Sequence, residues 1–264
     1  MIELADSHAH LDMPEFAPDR GEAVTRAWRA GVRSLLCPAD LTNPESLART
    51  LELADGFAWI LAAAGVHPHQ AKALAPAHLE ALKTLAAAGR IAALGEIGLD
   101  YHYDFSPRDK QVEALRAQLE LAERLALPVI IHSRLAGPDV IASVTEAGFT
   151  RGGVLHCFTE DWATARDMLD RGFYISFSGI LTYPSAGEIR EVAVRIPDDR
   201  LLVETDSPYL VPVPLRRQAA RNEPAFVIET ARQLAALRRS PLEELAPLTL
   251  RNFRALFRMA DGPG

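Results

Sequence analysis

Pro128-Val129-Ile130-Ile131-His132 and Gly153-Val154-Leu155-His156 are short apolar runs, and each closes on a histidine. Continuous runs of this kind, without polar alternation, suit strands covered on both faces, as in a parallel sheet. The same pattern extends in both directions along the chain. Strands are expected near Glu3–Asp6, Ser34–Cys37, Ile60–Val66, Ile91–Glu96, Pro128–His132, Gly153–His156, Tyr174–Phe177 and Leu201–Glu204, with helical stretches between them. Of the eight histidines, His8, His10, His67, His69, His102, His132 and His156 sit at or just after the ends of such runs; His78 alone falls within a helix.

Helix signals separate the runs. Ser106-Pro107-Arg108-Asp109 and Ser240-Pro241-Leu242-Glu243 each offer a serine cap, a proline at the first helical position and an acid in the first turn. Val112, Leu115, Leu119 and Ala122 form an apolar stripe at helical spacing, opposite a charged face of Arg108, Glu113, Arg116, Glu120 and Glu123. Strand and helix alternate eight times, and a ninth helix from Leu242 to about Phe257 ends the pattern. An open doubly wound sheet competes. Chemistry at nearly every strand end favours an α/β architecture of the closed kind, a (β/α)8 TIM barrel, because a barrel gathers those ends at one mouth. With 264 residues and no Gly-rich linker or charge block, residues 1–264 read as one domain.

The formal charge of −7 argues against a protein that coats nucleic acid with a broad basic surface; a substrate gripped locally remains compatible. Cys37 and Cys157 give no disulfide framework. A strand that starts almost at once leaves no room for a signal peptide, and no apolar run reaches membrane-span length. A cytoplasmic protein with no membrane association and no obligate protein partner is expected.

His8 and His10 leave the first strand in alternation, so both project one way and suit chelation of one ion. Glu96, at an apolar strand end, needs a compensating cation and could give one oxygen to each of two metals roughly 3.5–4 Å apart. A salt bridge to arginine is the plainer alternative. Lys72, Lys83 and Lys110, the only lysines, lie away from strand ends, which excludes a carbamylated-lysine bridge. His132 and His156, on consecutive strands, suggest a second chelating pair. Cys157 must point away from His156 and reads as a core thiol.

Asp206 could bind metal through one oxygen and accept a proton through the other, although Ser207-Pro208 after it also suits a turn cap. Glu204 projects to the same side and could orient a histidine. His67 and His69 fit a role at the substrate, such as donating to developing negative charge. Arg216, Arg217 and Arg221 offer guanidinium forks for phosphate.

Asp-Ser-His-Ala-His-Leu at 6–11, Gly-Val-His-Pro-His at 65–69, Gly-Glu-Ile-Gly-Leu-Asp-Tyr at 95–101, His-Ser-Arg at 132–134, His-Cys-Phe at 156–158, Glu-Thr-Asp-Ser-Pro-Tyr-Leu at 204–210 and Arg-Asn-Glu-Pro at 221–224 together resemble the TatD-type metal-dependent deoxyribonuclease family. The resemblance runs from the first strand to the closing helix, where Asn252 and Phe253 also fit. It implies an amidohydrolase-like barrel and a two-metal phosphodiesterase. On matching positions, His8, His10, Glu96 and Asp206 would hold one ion, and Glu96, His132 and His156 the other. His67 would contact the scissile phosphate, with Arg134 and Arg221 as further substrate contacts. One departure is Leu135, where the family commonly has an acid; Asp139 is not in register to replace it.

The expected reaction is hydrolysis of DNA at single-stranded or frayed ends, 3′ to 5′, with Asp206 as the base and a metal-activated water. Two divalent ions are implied: zinc or manganese suits the histidine-rich set better than magnesium. A hydrolase of small amides, esters, lactones or aminoacyl-tRNA esters on the same barrel is the nearest alternative. A catalytically idle binding barrel is the other, and the full set of liganding side chains argues against it.

Overall fold

The computed structural model describes residues 2–259. Eight strands form one parallel sheet in chain order: β1 (Leu4–Asp6), β2 (Val32–Asp40), β3 (Ile60–Gly65), β4 (Ala93–Asp100), β5 (Val129–Arg134), β6 (Gly153–Leu155), β7 (Tyr174–Phe177) and β8 (Leu201–Val203). The α-helices are α1 (Arg20–Arg29), α2 (Pro44–Gly56), α3 (Pro76–Ala87), α4 (Arg108–Leu125), α5 (Gly137–Glu146), α6 (Trp162–Asp170), α7 (Gly187–Ala193), α8 (Val227–Arg238) and α9 (Leu242–Leu256). The sheet closes on itself where the chain leaves β1 and β8. Ser7 N donates to Val203 O, Asp206 N to His8 O and His10 N to Ser207 O. The expected (β/α)8 barrel is therefore the fold.

Two apolar layers hold it. The larger lies between strands and helices, with Leu35, Ile97, Leu119, Ile131 and Phe173 among its fully buried members. The smaller draws Ala5, Leu36, Ala63, Ala93, Ile130, Val154 and Leu202 from seven strands, and Phe253 of α9 and Phe257 just after it pack on it. Side chains two apart on a strand share a face. The face that carries Ile130, Val154 and Leu202 onto α9 at one end therefore carries His132, His156 and Glu204 at the other. Burial of the apolar end and display of the polar end follow from one alternation.

β4 breaks this alternation to good effect. By simple parity Ala93 would be followed on its face by Gly95, with Glu96 turned outward. The pairing to β5 slips between Leu94 and Ile97 (Leu94 opposite Val129, Ile97 opposite Ile131), so β4 carries one extra residue. Such a bulge re-aims the side chain it contains, and Glu96 joins the histidines. The strand also runs on to Asp100, beyond its expected end at Glu96.

Gly98 sits beside this bulge at φ +145°, and a Cβ there would lie 1.9 Å from the carbonyl oxygen of His132. Backbone cannot yield as a flexible side chain does. Gly98→Ala is expected to lose roughly 3 kcal/mol or more of stability, read as a shift of the urea midpoint with unchanged m-value.

Both serine caps expected from the sequence are absent. α4 starts at Arg108 after Pro107, and Ser106 Oγ donates instead to the carbonyl of His69, 2.8 Å away. The buried hydroxyl of Ser240 caps nothing among the described residues. The apolar stripe of α4 holds in Leu115, Leu119 and Ala122, yet the same face also buries Gln111 and Gln118. No helix among the described residues is long and apolar enough to cross a membrane.

Candidate active site

Glu96 is the centre of the cluster. Its Oε1 lies 2.7 Å from His156 Nε2, 3.0 Å from His132 Nδ1 and 3.2 Å from His67 Nε2. Its Oε2 lies 3.2 Å from His8 Nε2 and 3.7 Å from His10 Nε2. Asp206 Oδ1 approaches the same pair, 3.9 Å from His8 and 3.7 Å from His10. The six side chains expected to converge from separate strand ends do so, and the two carboxylate oxygens of Glu96 face different histidines.

Outer partners orient two of the rings. His132 Nε2 lies 3.1 Å from Asp100 Oδ2, and its Nδ1 turns toward Glu96. His156 Nδ1 faces Glu204 Oε1 at 3.3 Å, leaving Nε2 inward. Those two inward nitrogens are only 3.3 Å apart. Two ring nitrogens and a carboxylate oxygen thus crowd one point, an arrangement that suits a cation held between them. His8 Nε2 and His10 Nε2 meet at 3.0 Å near the other oxygen, and His8 Nδ1 is buried without a partner. Three-residue groups whose donor atoms all fall within 4.8 Å are His8–Glu96–His156, His8–His10–Asp206 and His67–Glu96–His132. The donor set fits one or more divalent ions of the borderline, nitrogen-accepting kind.

His67 differs from the other imidazoles. The backbone N–H of His69 donates to its Nδ1 at 3.2 Å, so Nε2 carries the proton and points inward as a donor. This tautomer suits hydrogen bonding to an anion.

Charge and burial sort the cluster further. Burial brings His8 down to about 4, with His156 and His10 acting in the same direction, so its ring is neutral at pH 7. Burial also lowers His67. Burial opposes the charge on Glu96, but His156, His67 and His8 hold its carboxyl well below the usual range. Against the same penalty, Glu96 and Glu204 raise His156 well above its ordinary value. Asp206 is pushed up to about 6, chiefly by burial.

Sequence reasoning assigned no role to Asp100, Gln111, Gln118 or Asp6, which lie behind this cluster. Asp100, fully buried at the end of β4, receives His132 Nε2 and His69 Nε2 (2.9 Å) on one oxygen, and the backbone N–H groups of His102 and Tyr103 on the other. Gln111 of α4 clasps the backbone N–H and carbonyl of Asp100, and Gln118 does the same for Val66, next to His67. Asp6 accepts from the hydroxyl and N–H of Thr205 and the N–H of His8, tying the two closing strands together; burial pushes its carboxyl up to about 8. Asp100 was visible in the Gly-Leu-Asp-Tyr motif. The glutamines left no signal, because polar residues on a helix read as solvent-facing.

Glu204 does reach His156, as expected, and also accepts from the backbone N–H of Cys157 at 2.6 Å. Cys157 Sγ turns to Ser178 Oγ, 3.2 Å away, in keeping with a thiol outside the cluster. Arg134 stays at the mouth, its guanidinium carbon 5.0 Å from the centre of the Tyr103 ring. Arg221 is placed elsewhere: it donates to Asp19 Oδ1 at 2.6 Å and Glu15 O at 3.0 Å and lies over Phe16. Its fork is spent on the loop before α1, and Arg216 lies over Tyr183.

A family model described as TatD related DNase matches residues 5–258. The metal-dependent hydrolase YabD of Bacillus subtilis is 40% identical, over 97% of this chain and 99% of its own. The 3′-5′ ssDNA/RNA exonuclease TatD of Salmonella typhimurium is 35% identical, over 96% and 98%. Among solved structures, the TatD homologue YJJV of Escherichia coli superposes with a TM-score of 0.89 at 33% identity, covering 97% of this chain and 98% of that one. A barrel whose strand ends gather five imidazoles and two carboxylates, matched over nearly its whole length by these relatives, belongs to the TatD-related DNase family of metal-dependent hydrolases.

Proposed function

We propose that the protein is a phosphodiesterase that removes nucleotides from the 3′ end of single-stranded or frayed DNA and uses two divalent ions, with residues 1–264 acting as one catalytic unit. The observation that carries this reading is the division of Glu96, one oxygen toward His132 and His156 and the other toward His8 and His10. A carboxylate so divided suits a pair of ions better than one. His8, His10, Glu96 and Asp206 would hold the first, and Glu96, His132 and His156 the second. Such ions, when bound, supply charge for the phosphoryl oxygens and lower the pKa of water.

The chain's own groups supply the rest. Asp206, whose Oδ1 faces His8 and His10, takes the proton of the attacking water on its carboxylate. His67 donates from Nε2 to the phosphate, and Arg134 meets the same charge from the rim. Asp100 and Glu204 would keep the protons of His132 and His156 on their outer nitrogens and leave the inner ones free to bind an ion. The Salmonella typhimurium relative, a 3′-5′ exonuclease of single-stranded DNA and RNA by name, supports the substrate class and the polarity. The unpaired thiols of Cys37 and Cys157 fit a reducing cytoplasm.

The test is hydrolysis of 3′- and 5′-labelled oligonucleotides by purified protein supplied with zinc, manganese or magnesium, beside His132→Ala. Wild type should shorten the 3′ end, and the variant should lose on the order of 10²-fold or more in rate. Undiminished cleavage by His132→Ala would assign the activity to another site.

A further inference from the structure

The loop after β4 carries two aromatic side chains that the centre does not use. Tyr103 is 50% exposed and Phe105 57% exposed. Their rings lie nearly parallel, 18° apart in plane with centroids 5.4 Å apart. Single exposed apolar side chains are ordinary on a protein surface; a parallel pair beside a catalytic mouth is a different matter.

This pair is not on a loose loop. The backbone N–H of Tyr103 is held by Asp100 Oδ1 at 2.9 Å, and the carbonyl of Phe105 receives Lys72 Nζ at 3.1 Å. Ser106, next in the chain, is buried and bonded to the carbonyl of His69. His69 sets its ring edgewise to both aromatics, at 5.6 and 4.8 Å between centroids. His69 and His132 share Asp100 Oδ2, so the aromatic pair is braced by the same carboxylate that orients His132.

A cation completes the arrangement. Arg134 stands 5.0 Å from the centre of Tyr103, and no carboxylate among the described residues pairs with it. Leu135, 69% exposed, follows it in the chain. Flat apolar faces together with an unneutralised guanidinium match a ligand that is both planar and anionic.

We propose that Tyr103 and Phe105 form a stacking subsite for a nucleobase adjoining the bond that is cut, with Arg134 facing that nucleotide's phosphate. The proposal rests on the nucleolytic reading and deepens it. The strand is bound by its bases as well as by its backbone, which lets a chain of net charge −7 hold nucleic acid without a basic surface. Stacking is tolerant of base identity, so the subsite confers preference for an unpaired end without sequence specificity.

The experiment compares an unmodified oligonucleotide with one carrying abasic units at its last two 3′ positions, using metal-supplemented wild type, Tyr103→Ala/Phe105→Ala and Tyr103→Trp. Wild type should show a KM roughly 10-fold or more higher for the abasic end. The double variant should raise KM for the unmodified end by a similar factor and lose the preference, and Tyr103→Trp should keep it. In a binding titration, a phosphorothioate-protected strand ending in 2-aminopurine should be quenched by wild type and stay bright with the double variant. Should wild type treat both ends alike, or the double variant keep both the preference and the quench, the subsite is disproved while nuclease activity stands. Should wild type degrade neither strand, the nucleolytic reading falls and this subsite falls with it.

Discussion

Glu96→Gln is expected to cost on the order of 10³-fold or more in kcat/KM and to strip divalent metal from the protein. An amide has nearly the shape of the carboxylate, so the core loses little packing. Its charge is gone, however, and one of its two ends now presents N–H groups to imidazole nitrogens that lie 2.7 to 3.7 Å from the present oxygens. An interaction worth several kcal/mol at the transition state corresponds to that loss in rate. The check has two readouts. Metal content after dialysis should fall by at least one equivalent. Thermal unfolding should lose the upward shift that added metal gives wild type, about 2.7 kcal/mol at a metal concentration 100 times Kd. A variant that binds metal and turns over like wild type would refute the central role assigned to Glu96.

Asp206→Asn should act differently, on kcat more than on metal retention. Asparagine keeps one oxygen able to face His8 and His10, where Asp206 Oδ1 now sits 3.9 and 3.7 Å away, but it accepts no proton from water. General-base assistance is typically worth 10² to 10⁴-fold, so kcat at saturating metal should drop by roughly that factor while KM moves much less. The assay is kcat and KM across a metal titration, so that weakened occupancy is separated from lost proton transfer. A fall of less than about 10-fold at saturation would remove Asp206 from the role of base.

Most positions of the cluster were legible because they lie at or near strand ends. Once eight apolar runs are read as a barrel, His8, His10, Glu96, His132, His156 and Asp206 must share a mouth. Glu96 joins them by another route: it lies within β4, not at its end, and faces inward through a bulge that no periodicity reveals. What stayed hidden was tertiary. Gln111 and Gln118 look like surface residues of an amphipathic helix until the backbone they clasp is in place. Arg221 looks like a phosphate ligand until Asp19 and Glu15 are found to occupy it. Ser106 and Ser240 satisfy a capping pattern in sequence, but in the fold Ser106 serves the carbonyl of His69 and Ser240 serves no helix end.

The seam between the first and last strands has a temporal meaning for the cell. Asp6 grips Thr205, and Ser7, His8 and His10 are stitched to Val203, Asp206 and Ser207, across a separation of nearly 200 residues. Contacts so distant along the chain form late, after most of the polypeptide has left the ribosome. His8 and His10 therefore wait for Asp206, and a half-made chain carries only part of the cluster.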